Sequence, residues 1–479
     1  MTALNKMTEC LQETDRCRRT HPKRYSSLRG GRVRRGLVWV LGLVAAGGVP
    51  TGGQESLRLP FGEARELALA RNAQLRAGAS DVDAARAAHL RAWAGLLPHI
   101  SLSESAVRSN DAVGVFGTKL RQERFAQEDF ALGALNRPGA INGFRTTLEV
   151  RQPLMDWGAL YARRQAAEGV RGARAGLRRS RQAVVLETAE AYWALCLARA
   201  GLHSARRGVE EAEAFAGAAE ARLRAETATR VDVLAGQARL AQRRARQAEA
   251  DETLAAAEDR LTLVLGLGVA TRLVGLDSLD ALYEPKRGMN TDERMVRRAL
   301  GQRPDLEGQE AALAAAGKAL GAAKAAFVPR LDAFARADLD ADAPFARQGE
   351  SWSAGVVLRW DLFDGLDKVG ALRQARARLE RSEAERAWLA ARVEREVRAA
   401  RRAVDTARAR VELGNVAHER AEEAWRISRK RYAQGLATAA EVLAAEAEAS
   451  QARLGRLQAL YGFNVALSAL EFAMGEPVE

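Results

Sequence analysis

The 479-residue chain repeats itself in register. Ala68-Leu-Ala-Arg-Asn-Ala-Gln-Leu75 matches Ala299-Leu-Gly-Gln-Arg-Pro-Asp-Leu306, and Leu97-Pro98 matches Val328-Pro329, both 231 positions apart. Further along, Leu154-Met-Asp156 matches Leu362-Phe-Asp364 at an offset of 208. Arg222, Thr229 and Val233-Leu-Ala235 match Arg431, Thr438 and Val442-Leu-Ala444 at 209, and Val264-Leu-Gly266 matches Ala473-Met-Gly475 at 209. A duplicated unit this long confines the chain to an architecture built twice. One length change between residues 98 and 154 accounts for the shift in offset.

Within each unit the hydrophobic period changes. Residues 61–97 and 293–328 carry Ala-rich and Leu-rich helical patterns. Period-two alternation follows, at 99–108 and 144–154 in the first unit and at 331–340 and 351–362 in the second. Phe144, Thr146, Leu148 and Val150 alternate with Arg145, Thr147 and Glu149, and Trp352, Ala354, Val356 and Leu358 alternate with mostly polar neighbours. Such runs mark strands with one apolar side, paired here as one hairpin per unit. The first hairpin has a long tip, 109–143, and the second a short one, 341–350.

Proline-free stretches at 158–224 and 365–434 then read as helices of about 100 Å each. Val170, Leu177, Val184 and Ala191, and again Val397, Val404 and Val411, recur every seven residues, the spacing of coiled-coil packing. Shorter helices at 230–266 and 438–474 turn back along them. The two shorter helices of a unit together match one long helix and are expected to stack end to end beside it. Residues 51–268 form the first repeat, 269–292 a linker and 293–479 the second repeat. The fold class expected is mainly α with β, a tandem repeat of helix, β-hairpin, long helix and helix.

Charge narrows the function. The net charge is +13, but residues 1–50 hold ten Lys or Arg against three acids, leaving +6 on the other 429 residues. Spread over interleaved Arg and Glu, +6 is a solvated face and not a nucleic-acid footprint. Within that terminus, basic Arg32-Val-Arg-Arg35 precedes an apolar Leu37–Ala46 run and then Gly47 and Gly48, the anatomy of an export signal. Two of the three cysteines lie before residue 20, so neither a disulfide framework nor a Cys-rich metal site is expected. The histidines lack ligand spacing, and Cys196 has no His/Asp arrangement around it. No catalytic residues, metal or cofactor are expected, and the chain is read as no enzyme.

Four bilayer-length strands cannot enclose a lumen, and an open sheet edge in hydrocarbon leaves backbone groups unsatisfied. A chain with four such strands must share a barrel with other copies; three copies give twelve strands. The rival expectation is a soluble or periplasmic coiled-coil scaffold without channel activity, against which the export signal and the alternating runs both speak.

The sequence resembles the TolC-like outer membrane factor family over nearly all of 57–475. The resemblance rests on Leu59-Pro-Phe-Gly-Glu-Ala64, Ala68 to Leu75, Arg303-Pro-Asp-Leu306, Gln152-Pro-Leu-Met-Asp156, Trp360-Asp-Leu-Phe-Asp-Gly365, and Tyr432-x-x-Gly435 ahead of Glu441-Val-Leu443. It implies a homotrimer with a twelve-stranded barrel in the outer-membrane lipid and a helical barrel in the periplasm. It also implies a periplasmic adaptor (membrane fusion) protein and an inner-membrane pump of RND or ABC type, serving efflux or type I secretion. On the family's pattern the periplasmic gate falls at Thr229, Asp232, Tyr432, Gly435, Thr438 and Glu441. Departures stand at Ala444 for a second acid, Ala437 for a latch arginine and Glu226 for a turn glycine. The bland alternative for Asp232 and Glu441 is helix capping in an exposed turn. Phe144, Trp352 and Trp360 are expected as membrane-belt aromatics.

Overall fold

A computed structural model describes residues 56–268, 271–274, 276–279 and 291–476. The export-signal expectation and most of the 269–292 linker lie outside the described residues. The elements are β1 (Ser56–Arg58), α1 (Phe61–Arg71), α2 (Ala73–Arg91), β2 (His99–Ser109), α3 (Ala112–Arg121), α4 (Leu132–Asn136), β3 (Ile141–Met155), α5 (Trp157–Arg224), α6 (Arg230–Val264), β4 (Arg272–Val274), α7 (Asp292–Gln302), α8 (Pro304–Ala325), β5 (Arg330–Ala341), β6 (Gly349–Arg359), α9 (Asp367–Ala433) and α10 (Ala439–Met474).

The long helices α5 and α9 run for 68 and 67 residues. Asp156 starts α5 by accepting a hydrogen bond from the Ala159 amide at 2.8 Å. The heptad positions Val184, Ala191, Val397, Val404 and Val411 are buried. Most of the core is Ala, Val and Leu, and small side chains let helices that are only half covered approach closely.

The stretch 61–97 is not one helix, and neither is 293–328. The first breaks at Asn72 and the second at Arg303, both with extended backbone angles (ψ +129° and +126°). Asn72 is the N-cap of α2, its side-chain oxygen accepting from the Gln74 amide at 2.8 Å. Its Nδ2 donates to the Val264 carbonyl at the end of α6, 3.0 Å away. In the second half, Arg303 Nη1 donates to the Ala473 carbonyl at 3.1 Å, and Gln302 Nε2 to the Met474 carbonyl at 3.1 Å, both at the end of α10. Helix ends leave carbonyls without partners, and these side chains supply donors where two shorter helices meet. The contacts need close backbones: a Cβ on Gly266 would come within 2.8 Å of the Arg71 carbonyl oxygen.

A small parallel sheet escaped the sequence reading. β1 pairs with β4, Leu57 opposite Leu273. Beside it the buried Tyr192 hydroxyl accepts from the Asp277 amide at 2.8 Å and donates to the Asp277 carboxylate at 3.0 Å. The same carboxylate oxygen accepts from the Phe61 amide at 2.9 Å, satisfying the first turn of α1.

The main sheet has four antiparallel strands in the order β2-β3-β5-β6. Strand β6 ends at Arg359, short of the expected 362, so Trp360 stands outside the strand with its Nε1 donating to the Phe327 carbonyl at 3.1 Å. The ladder slips between Pro153 and Met155, where proline has no amide to give.

Candidate functional site

The register divides the sheet into two unlike faces. One carries Ile100, Leu102 and Ala106 of β2, Phe144, Leu148 and Val150 of β3, Ala333, Ala335 and Ala337 of β5, and Trp352, Ala354 and Val356 of β6. Trp352 is 81% exposed on that face, and Ile100, Leu102, Val356 and Leu358 are exposed with it. Phe144 lies on the same face, half-buried. The opposite face carries Arg145, Glu149, Arg151, Arg336, Asp338 and Asp340. They pair with one another: Arg145 with Asp340 at 2.9 Å, Arg336 with Asp338 at 2.8 Å and Arg151 with Glu149 at 2.8 Å. Such a sheet suits hydrocarbon on one side and water on the other.

At the far end of the long helices lie two helical turns. In the first, Thr229 caps α6 and forms a reciprocal box with Asp232. The Asp232 carboxylate accepts from the Thr229 amide and hydroxyl, each at 2.8 Å. The backbone amide first, and the hydroxyl next, hold the Asp232 carboxyl below the ordinary aspartate value. In the second, Thr438 caps α10, accepting from the Glu441 amide at 3.3 Å. Glu226 and Gly435 end the preceding long helices at positive φ. Asp232 thus caps its own helix, while Glu441 stands in the exposed first turn of α10, its carboxylate accepting from the Thr438 hydroxyl at 3.3 Å.

Tyr432 is held by residues that sequence reasoning did not assign to the site. Its ring stacks on Phe215 with centroids 5.5 Å apart, and the Arg222 guanidinium lies 4.5 Å from its centre. Arg222 also donates to the Tyr432 carbonyl at 3.0 Å, tying the end of α5 to the end of α9. Two turns further from the tip, Glu446 of α10 receives two arginines of α6. Arg239 reaches one carboxylate oxygen at 2.8 and 2.6 Å, and Arg243 binds the other while reaching Ser450 at 3.0 Å. Glu446 and Arg243 are buried. Between these ties lies a cleft of about 590 Å³ lined by Phe215, Trp425, Tyr432 and Val442. The partnership could not be read from spacing because it joins residues some 207 positions apart.

Among the described residues no helix is long and apolar enough to cross a membrane, and no group of three His, Cys, Asp or Glu could hold a metal. Cys196 is buried, its thiol pushed up to about 12 by burial and by the Asp277 charge.

The family model for outer membrane efflux proteins matches residues 64–267 and 295–476. Protein CyaE of Bordetella pertussis is 31% identical over 335 residues, covering 67% of this chain; the chain spans 64% of that relative's length. A membrane protein of Pseudomonas aeruginosa is similar in structure, with a TM-score of 0.73 at 22% identity, covering 87% of this chain and 93% of its own. The CmeC outer membrane channel of Campylobacter jejuni gives a TM-score of 0.74 at 16% identity, covering 87% and 85%. The chain belongs to the outer membrane efflux protein family.

Proposed function

We propose that three copies of this chain close a twelve-stranded barrel in the outer membrane, continued by a helical tube in the periplasm. The assembly passively conducts substrate from a periplasmic adaptor and an inner-membrane pump, in efflux or type I secretion. The observation that carries this reading is the sheet. It has an apolar face, a charged face, and two edge strands, β2 and β6, whose outer edges have no partner among the described strands. Each unsatisfied backbone group in lipid costs several kcal/mol, so those edges require other copies of the same sheet. Strands of 11 to 15 residues at about 3.3 Å per residue, tilted by about 40°, span the hydrocarbon of a bilayer.

The charged face then lines the lumen, and Phe144, Trp352 and Trp360 mark the lipid belt. Thr229, Asp232, Tyr432, Gly435, Thr438 and Glu441 sit at the periplasmic mouth. Three-fold symmetry brings three copies of each acid around one axis, where mutual repulsion and desolvation tune cation passage. The reading is tested by fractionating cells that express the chain and reconstituting the product in planar bilayers. Recovery with outer membranes and discrete conducting steps are expected; a protein confined to the soluble periplasmic fraction contradicts it.

A further inference from the structure

The first hairpin's tip is not an open loop. It folds into α3, a 3-10 turn at Gln127–Phe130 and α4, linked by Phe116, Phe125 and the more exposed Phe130, whose rings meet edge to face at 4.8 and 5.1 Å. Lys119 pairs with Asp129 across it at 2.6 Å. Three contacts, made by Thr118 and Arg121, show which face of the sheet this small body covers. A Cβ on Gly143 would lie 3.0 Å from Thr118 Cγ2. A Cβ on Gly349 would collide with the Arg121 carbonyl oxygen. The Arg121 guanidinium stands 3.6 Å from the Asp340 carboxylate. By the strand register, Gly143, Asp340 and Gly349 all belong to the charged face. The buried Gln122 then fastens the body to both hairpins, its Nε2 donating to the Ala341 carbonyl at 2.6 Å and the Asn142 carbonyl at 3.0 Å. Arg124 adds an ion pair with Asp342 at 2.7 Å.

We infer that residues 110–140 are an inward-folded plug that narrows the outer mouth of the channel. The inference rests on the charged face being the lumen, as proposed above. A loop that only decorated the surface would lean away from the sheet or over its lipid side. This one is seated on the water side, at the end of the strands remote from the long helices, where two glycines give it room. It leaves Val113 and Leu132 exposed, at 79% and 77%. Three such bodies around one axis present apolar side chains to the aperture, and an apolar constriction resists ions by dewetting. The plug thus adds an outer restriction in series with the periplasmic tips, at the opposite end of the conduit.

Access from outside tests this independently of the periplasmic gate. Ser101 lies on the charged face, exposed, near the other end of β2. Ser101→Cys is introduced with Cys10, Cys17 and Cys196 changed to Ala, and intact cells are treated with a small membrane-impermeant maleimide or one carried on a bulky polyethylene glycol. Three forms are compared: the full chain, a chain lacking residues 112–138 whose remaining Asn110-Asp111-Gly139-Ala140 closes a four-residue hairpin, and Gly349→Ala, which unseats the plug at full length. The small reagent is expected to label all three, and the bulky one only the shortened and Gly349→Ala forms, with loss of labelling in the intact chain. Equal behaviour of the bulky reagent on intact and shortened chains overturns the plug while leaving the channel standing. No labelling of any form by the small reagent shows that Ser101 faces no aqueous lumen, which overturns the channel reading and the plug together.

Discussion

Glu226 and Gly435 hold equivalent places in the two tip turns, 209 residues apart, and both adopt a left-handed backbone, φ +59° and +76°. Each follows the end of a long helix, and in each turn an amide just beyond closes back onto an arginine carbonyl: Thr227 onto Arg222 at 2.9 Å and Leu436 onto Arg431 at 2.8 Å. Glycine adopts this conformation freely, whereas a residue with a Cβ is strained by about 1–2 kcal/mol. Glu226→Gly is therefore expected to stabilise the protein by about 1 kcal/mol, and Gly435→Ala to destabilise it by a similar amount. Thermal unfolding in detergent checks both; opposite signs at the two sites are the expected outcome.

The tie between α6 and α10 makes a sharper demand. Removing Glu446 leaves two arginines, one of them buried, facing each other without a counter-charge, a loss of about 3–5 kcal/mol for a buried partner. Glu446→Ala is expected to release the two helical hairpins from one another near the tip. Hydrogen exchange along Arg230–Val264 should rise, with little change in β2 to β6. Uniform exchange across the chain would remove the tie from this role.

Acid should loosen the second end-to-end helix junction. Burial works to raise the Asp305 and Glu396 carboxyls, but hydrogen bonds and charge from Arg303 outweigh it, and both lie below their ordinary values. Groups depressed in the folded state contribute stability that is full above the unfolded values, 3.8 and 4.5, and is lost as pH falls through the lower folded ones. Stability should therefore fall steeply below about pH 4.5, and Asp305→Asn should flatten that fall while lowering the neutral-pH plateau. A titration of unfolding midpoint against pH decides it.

The two sheet faces predict opposite tolerance. Leu148→Arg puts a charge on the apolar face and should cost about 2–4 kcal/mol of folding into vesicles, whereas Ser351→Arg on the charged face, opposite Asp338, should cost little. Similar losses at both positions would contradict the assignment of lipid and lumen.

At the mouth, Glu441→Ala is expected to change single-channel conductance and reduce cation preference. It should cost only a few tenths of a kcal/mol of helix stability, since the Thr438 hydroxyl still caps the Glu441 amide position. Unchanged selectivity would leave Glu441 with its first-turn role alone.

Much of this was legible because it is periodic. Alternation of Phe144, Leu148 and Val150 with Arg145, Thr147 and Glu149 separates the apolar face of the sheet from the charged one, and heptads at Val397, Val404 and Val411 mark the packed stripe. What escaped has no period. Asn72 and Arg303 break helices whose composition favours continuation, because a donor is needed for carbonyls nearly two hundred residues away. Strands β1 and β4 are three residues each, too short for any pattern to emerge. The fold of residues 110–140 depends on a cluster of three phenylalanines and on two glycines in other strands. At the tips, motif places Asp232 and Glu441 in the two turns, while Arg222, Phe215 and Glu446, which hold the hairpins together, depend on contacts between the two halves.

The mass of the detergent-extracted particle, measured by light scattering with the detergent subtracted, tests the central claim most directly. Three chains per particle, resisting dodecyl sulfate at room temperature and falling to one on boiling, is the outcome expected of sheets that seal each other's edges. A stable particle of one chain, with β2 and β6 still exchanging their amides slowly, would contradict it.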